Sequence, residues 1–445
     1  MQFTKILLPS TAFGAAALFL CTGTSQGFNT LGGLLDITQR DVRVFNNFSK
    51  ANANNNTTPD TNWPGYDGAE MSIWKACSEW SSELHGGTGA GDPSQLVGSG
   101  GANFDITWQG NSFQVGGSND NTHSEISGSS GGVLAFCETP ISNGWRIRYY
   151  ENWNWQDGPG NVSSGIDLQG VACHEYGHAL GLDHTNVGGA TMFPSISGTG
   201  QAQRSIENDD IAGVQFIYGV KSPSKPRITS VVKAGTQLTI NGSNFSSTGN
   251  EVWFTDAELV TDGEPIKVSG LNSNGSQIVV ITPSGVGPGD LLVRSNGTAN
   301  SNLSNAWPVS PDPSPPCGVV IYCTGKVSST GALSSIGSTG TPSLSTQDFV
   351  LFSFNGVGGA VGIYIWSDVG AAAIPFANGF LCIASPINRG PGHAYDGFGA
   401  ATVPITVAPA DIGVTRWFQF WYRDQTHPDG TGQGTTDAAE VTFCN

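Results

Sequence analysis

The stretch from Asp167 to Ser195, DLQGVACHEYGHALGLDHTNVGGATMFPS, constrains this chain more tightly than any other. His174, Glu175, His178, Gly181 and His184 fall in the pattern HExxHxxGxxH, and Met192 follows. An α-helix turns about 100° per residue, so His174 and His178 lie roughly 40° apart on one face, one turn apart. Two imidazoles aimed at one point are what a zinc ion needs from its first two ligands. Glu175 sits roughly 60° to one side, within reach of a metal-held water but not placed as a ligand. Asp167 is the expected N-cap, with its carboxylate on free N–H groups of the helix start. Ala172, Tyr176, Ala179 and Leu180 take the opposite face, so one side of the helix can be buried while the other is presented. Gly181 then allows a left-handed exit, and the chain returns to deliver His184 as third ligand.

Three neutral imidazoles leave a fourth tetrahedral position open, as in catalytic rather than structural zinc sites. The expectation is a water there, acidified by the metal and deprotonated toward Glu175. A helix with incidental histidines four apart is the bland alternative. It would need Gly181, His184 and Met192 all to coincide by chance.

The segment resembles the metzincin zinc endopeptidases, and within them the matrixin-like (matrix metalloproteinase) branch. The longer family pattern VAxHExGHxLGLxH is matched from Val171 to His184, and Met192 in ATMFP resembles the Met-turn beneath the metal. Cys173 and Thr185 depart from the branch's usual residues without touching the metal chemistry. GVLAF (Gly132 to Phe136) resembles the edge strand above the cleft, and NDDIAGVQFIYG resembles the closing helix. The resemblance covers roughly residues 36–220. It implies one catalytic zinc on His174, His178 and His184, Glu175 as general base, and Met192 as the floor. It also implies Gly181 as structural support and one of Asp209 and Asp210 as the brace of the Met-turn. Substrate would lie along Gly132, Val133, Leu134 and Ala135, against a wall of Phe193, Pro194, Ser195 and Ile196. None of those wall residues is charged, so the position after the scissile bond should be apolar. No cysteine lies between Cys21 and Cys77, so latency through a propeptide thiol is not expected. Phe136 stands where the edge strand would carry a structural-zinc histidine. His85 and His123, lacking partners at ligand spacing, read as loop histidines. The loops Gly117–Asn121 and Asp157–Asn161 could take Ca²⁺, though solvated turns explain them better.

Charge excludes some partners. With 18 Lys+Arg against 35 Asp+Glu the formal charge of the 445 residues is −17. Nucleic acid and anionic membranes would repel such a chain. Lys5, the apolar run Ile6–Leu20 and the small residues up to Gly27 read as a secretory signal peptide (1–27), cut before Phe28. A lipoprotein reading at Cys21 is disfavoured by the bulky Leu20 before it. Export implies an oxidising setting, so Cys317, Cys323, Cys382 and Cys444 should form two disulfides, with three pairings open. Cys137 could pair with Cys77 or with Cys173, leaving one thiol over.

The expected fold is an α+β zincin (metzincin) catalytic domain, a mixed twisted sheet with three helices, followed by two all-β sandwich domains. Strands are expected at Arg43–Phe48, Phe104–Trp108, Gly132–Cys137 and within Gly144–Trp155. Helices are expected at Gly68–Ser82, at the zinc motif and at Arg204–Gly219, with residues 28–40 as an unstructured leader. After the catalytic domain (28–220), residues 226–309 show alternating strands between Gly/Asn turns and resemble the IPT/TIG immunoglobulin-like domain, here expected as a spacer. The proline linker SPDPSPP leads to residues 317–445, a disulfide-containing β unit resembling a C-terminal module of secreted bacterial proteins. Phe418, Phe420, Trp421 and Tyr422 offer it a polysaccharide- or cell-surface-binding platform, although strand alternation would bury half of them. The two Pro/Ser linkers suggest that residues 28–220 fold alone. Together these features point to a secreted, monomeric zinc endopeptidase acting on extracellular proteins or peptides. The rival, an adhesion protein using the fold as scaffold, would be favoured by loss of Glu175 or of a histidine, and all four are present.

Overall fold

The computed structural model describes residues 27–91, 95–138, 142–196, 199–259, 263–313 and 316–444; the expected signal peptide lies almost wholly outside them. In the first domain the strands are β1 (Asn29–Thr30), β2 (Asp41–Phe45), β3 (Thr107–Asn111), β4 (Thr122–Ile126), β5 (Ala135–Glu138), β6 (Arg146–Tyr150), β7 (Trp155–Gln156), β8 (Ile166–Asp167) and β9 (Leu182–Asp183). Its helices are α1 (Gly68–Glu79), α2 (Leu168–Ala179) and α3 (Asn208–Tyr218). Five strands make one mixed sheet in the order β3-β2-β4-β6-β5. All neighbours are parallel except β5, which runs antiparallel to β6. Parallel neighbours need long crossovers, and α1 supplies the one from β2 to β3. Helices α1 and α2 pack on each other, and their inner residues Trp74, Cys77, Ala172 and Tyr176 share a core with Val42, Val44, Ile147 and Tyr149 of the sheet.

Two local expectations fail. Residues 28–40 are not a plain leader, because β1 pairs antiparallel with β9, next to His184. Strand β4 has no counterpart in the sequence reading, and it carries His123 into the middle of the sheet rather than a loop. Its residues Thr122, His123, Ser124 and Glu125 are all buried yet polar, so no apolar alternation marks them.

Strands β10 (Arg227–Ala234), β11 (Gln237–Ser243), β12 (Asn250–Asp256), β13 (Ile266–Leu271), β14 (Gln277–Ile281), β15 (Val286–Arg294) and β16 (Trp307–Val309) form two facing sheets, β10-β11-β14 and β13-β12-β15-β16. Inward residues such as Leu238, Ile240, Val252, Phe254, Leu291 and Val293 fill the space between them, which makes a sandwich.

This sandwich is not a spacer. Its strands β12 and β15 pack against β3, the outer strand of the first domain's sheet. Thr255 donates to the Trp108 carbonyl (2.7 Å), and the buried Arg43 bridges the carbonyls of Asn111 (2.8 Å) and Glu258 (2.9 Å). Asp290, buried, accepts from Trp74 Nε1 (3.0 Å) and pairs with His85 Nε2 (2.9 Å). Lys225 pairs with Asp105 at 2.9 Å, and Arg40 donates to Asn300 (2.7 Å). Ile37 joins a small apolar cluster with Trp253, Leu292, Leu303 and Ala306. The expectation of an independently folding residue 28–220 unit overlooked this junction, because linker composition says nothing about what the flanking domains touch.

The third unit contains β17 (Gly318–Tyr322), β18 (Ser335–Thr339), β19 (Val350–Phe354), β20 (Val361–Ser367), β21 (Ala371–Phe376), β22 (Gly379–Ile383), β23 (Asn388–Ala394), β24 (Ala401–Pro404), β25 (Thr415–Arg423) and β26 (Gln433–Thr442). Sheets β17-β26-β25-β20-β23 and β18-β19-β24 enclose one apolar core. Disulfides Cys317–Cys444 and Cys323–Cys382 select one of the three pairings. Phe418, Phe420 and Tyr422 point into the core, and only Trp421 of the proposed aromatic platform is partly exposed. Alternation along β25 is the cause.

Candidate active site

Helix α2 begins where expected: the Asp167 carboxylate accepts the Gly170 N–H (3.1 Å). It also pairs with the buried Arg204 (2.7 Å), which ties the helix start to the chain beyond Met192. The helix ends at Ala179, and Gly181, with φ +104°, makes the turn that returns the chain. His174, His178 and His184 then converge, with one ligand atom from each lying within 4.8 Å of the others. His174 Nδ1–H donates to the Thr191 carbonyl (2.6 Å) and His178 Nδ1–H to that of Leu182 (2.8 Å). Those bonds fix the tautomers and leave each Nε2 with its lone pair facing the common point. Nε2 of His174 lies 3.3 Å from Nε2 of His184. Tetrahedral Zn–N bonds of about 2.05 Å require roughly that separation. Burial, with the charge of His178 behind it, pulls the His174 pKa down to about 3, so the ring is neutral as a ligand must be. The three histidines therefore fit a zinc site.

Gly177, inside the motif, is required by its surroundings. A Cβ there would overlap the Met192 sulfur and the Trp80 ring. Met192 thus lies against the helix beneath the ligands, buried. Of the two candidate aspartates, Asp210 is the brace: its carboxylate accepts the N–H groups of Thr191 (2.7 Å), Met192 (3.0 Å) and Glu207 (2.9 Å). Asp209 instead lies beside Gly27 at the start of the described chain.

Glu175 is buried where its helix packs under β5, and burial lifts its pKa to about 8. It opens, with His174 and His184, onto a cleft of about 620 Å³. Gly132, Val133, Leu134 and Ala135 form one wall, and Phe193, Pro194, Ser195 and Ile196 form the other. Every residue assigned to the substrate cleft from sequence is thus brought together there. Trp153, Ile166 and Val171 also line it and were missed. Val171 could have been found, being one helical turn before His174; nothing in the sequence singles out Trp153 among its neighbours.

His85 and His123 are outside any metal cluster, and neither lies in an exposed loop. His85 stacks on Trp63 (4.0 Å) at the domain junction. His123 bridges the Cys77 thiol (3.4 Å) and the Tyr149 hydroxyl (2.9 Å) in the core. Cys77, Cys137 and Cys173 are all free thiols, so the expected early disulfide is absent. In the loops considered for calcium, the Asp120 and Asp157 carboxylates accept the Gly117 (2.6 Å) and Asn56 (2.9 Å) N–H groups. Among the described residues the three histidines are the sole metal-competent group of His, Cys, Asp and Glu.

Two histidines on one helix, a third brought in after a glycine turn and a methionine beneath them make a metal-competent cluster of the metzincin kind. Residues 99–219 match the matrixin family, and residues 226–306 match the IPT/TIG domain. The chain therefore carries a matrixin domain followed by an IPT/TIG domain. It is 38% identical over 91 residues to Metalloendoproteinase 2-MMP of Arabidopsis thaliana, covering 20% of this chain and 24% of that protein. To Matrix metalloproteinase-27 of Homo sapiens it is 42% identical over 107 residues, 23% and 20% of the two chains. To the Hatching enzyme of Paracentrotus lividus it is 38% identical over 100 residues, 22% and 16%. The matches span about a quarter or less of each of these relatives.

Proposed function

We propose that this protein is a secreted, zinc-dependent endopeptidase that cleaves extracellular proteins or peptides. One observation carries the reading: three imidazoles converge at zinc-ligand spacing, and two of them, His174 and His184, open with the buried Glu175 carboxylate onto one cleft bounded by a strand edge. The matrixin relatives support the same activity class. Export rests on the leader-like N-terminus; no helix among the described residues is long and apolar enough to cross a membrane.

Zinc held by His174, His178 and His184 would supply Lewis acidity and lower the pKa of water in the cleft. Glu175 takes the proton of the attacking water and returns it to the leaving amine. Burial alone raises its pKa, and the charge of a bound zinc would act against that rise and favour the carboxylate that accepts the proton. Met192, braced by Asp210, supports the ligands from below. An extended substrate lies along β5 by β-augmentation, with the side chain after the scissile bond between Val171 and the Pro194–Ile196 wall. Leu134, Trp153, Ile166, Val171, Phe193 and Ile196 make that space apolar, so Leu, Ile, Met or Phe should be preferred there in a graded way.

The test is Glu175→Ala. Proteolysis of a protein substrate should fall by at least about 10²-fold, while one zinc per chain still binds. Near-native activity in that variant, with zinc bound, would remove Glu175 from the mechanism.

A further inference from the structure

The loop entering β5, Ser127 to Gly132, consists of serine and glycine alone. A Cβ on Gly128, Gly131 or Gly132 would meet nothing within 4 Å, so side-chain packing does not hold this loop in place. It hangs on hydrogen bonds from the stretch Tyr150–Trp153. Tyr150 N–H goes to the Leu134 carbonyl (3.0 Å) and Glu151 N–H to that of Ile126 (3.0 Å). The Glu151 carboxylate accepts the Gly128 N–H (2.9 Å). Trp153 Nε1–H donates to the Val133 carbonyl (2.9 Å), the one side-chain tie that reaches residues facing the cleft. The Trp153 ring lines that same cleft beside Ile166.

This arrangement limits what the open edge can offer. Val133 spends its N–H on the Ser130 carbonyl (2.8 Å) and its C=O on Trp153. Leu134 pairs with Tyr150, so antiparallel alternation turns both backbone groups of Ala135, opposite Tyr149, away from β6 and toward the cleft.

We propose that Trp153 is a positioning and specificity residue of this cleft. Its indole N–H holds the Val133 carbonyl and so fixes the entry to β5, which presents the backbone groups of Ala135 to an extended peptide. Its ring, with Ile166, closes the apolar space that receives the substrate side chain. The proposal rests on the reading of β5 as the substrate-pairing edge.

Three measurements on the full-length zinc enzyme test it. Trp153→Phe keeps a ring and loses the N–H. It should raise KM for a cleft-spanning peptide roughly three- to tenfold, the scale of one hydrogen bond, with kcat within about twofold. Hydrogen exchange at the Val133 and Leu134 amides should accelerate in the same variant. Trp153→Ala should in addition shift the preferred residue after the cut toward larger side chains, whereas Trp153→Phe should not. A peptide N-methylated at the group that pairs with Ala135 reports on the edge reading separately. If that peptide is a poor substrate of the wild type and Trp153→Phe leaves KM and exchange unchanged, the Trp153 proposal falls alone. If N-methylation has no effect on the wild type, the edge reading falls and takes the proposal with it.

Discussion

The sheet of the matrixin domain has two edges, and the chain treats them in opposite ways. Strand β3, at one edge, is sealed by the IPT/TIG domain. Thr255 takes the Trp108 carbonyl, Arg43 takes that of Asn111, and Asp290 reaches past the strand to Trp74 and His85. Strand β5, at the other edge, is left facing the cleft, and the Val133 carbonyl just before it is held by Trp153. An unpaired edge is a template for any extended chain. The comparison teaches that one edge is closed with a whole domain while the other is left open to the cleft where the proposed substrate would lie. It also separates two kinds of electrostatics: the sealed edge uses buried groups that have no water to fall back on, and the open edge uses half-exposed ones.

The largest expected effect follows from removing the seal. A chain ending at Gly219 loses Asp290, Thr255 and Lys225 together, leaving Trp74, His85, Asp105 and the β3 edge without their partners. Buried groups so abandoned cost about 1–3 kcal/mol each, against a total stability of about 5–15 kcal/mol. We expect this chain to be unfolded or aggregated, with no stoichiometric zinc. A chain ending at Val309 should instead retain cooperative unfolding and zinc, because among the described residues the hydrogen bonds of residues 316–444 stay within that domain. Circular dichroism melts and zinc analysis decide between the two. A well-folded, zinc-replete chain ending at Gly219 would show that the seal is dispensable.

A single side chain at the sealed edge comes next. Asp290→Ala deletes the acceptor shared by Trp74 Nε1 and His85 Nε2. Removing the shared buried acceptor leaves both donors unsatisfied, at about 1–3 kcal/mol each. Thermal unfolding of the full chain should register this as a clear drop in midpoint. A change within about 0.5 kcal/mol would mean that water has replaced the carboxylate and that the junction is wetter than its burial implies.

The contrast between the edges also marks how far sequence could go. The zinc helix was legible to the residue, because ligand geometry dictates spacing along one helix and its exit turn: Asp167, Gly181 and the three histidines all sit where periodicity put them. The cleft walls were legible through the family resemblance. What stayed hidden was set by contacts between distant segments. Strand β4 is polar, and its His123 and Glu125 find their partners in distant segments, Cys77 and Tyr149 for the one and the Ser49 N–H for the other. Asp290 lies more than 200 positions from Trp74 and His85, and nothing local marks it as their acceptor. The Ala135–Glu138 strand begins three residues after the expected Gly132, because Val133 turns its N–H back to the Ser130 carbonyl and gives its own carbonyl to Trp153 instead of to a strand neighbour.

The smallest expected effect belongs to the open edge. Glu138, on β5, pairs with Arg146 of β6, and Arg146 also donates to the Gly116 carbonyl. Both side chains keep contact with water, at 29% and 18% exposure, which is the feature that separates them from Asp290 and His85. Water and salt screen such a pair, and either partner can rehydrate when the other is removed. Glu138→Gln should therefore cost less than about 1 kcal/mol, and the difference from wild type should shrink in 1 M NaCl. The Asp290→Ala penalty should be nearly insensitive to the same salt, since the groups it strands are out of reach of ions. Paired thermal melts at low and high salt measure both variants on one scale. If Glu138→Gln proved as damaging as Asp290→Ala, the open edge would be held by its charges as firmly as the sealed edge is held by its domain. Its availability to substrate would then have to be explained by something other than loose electrostatics.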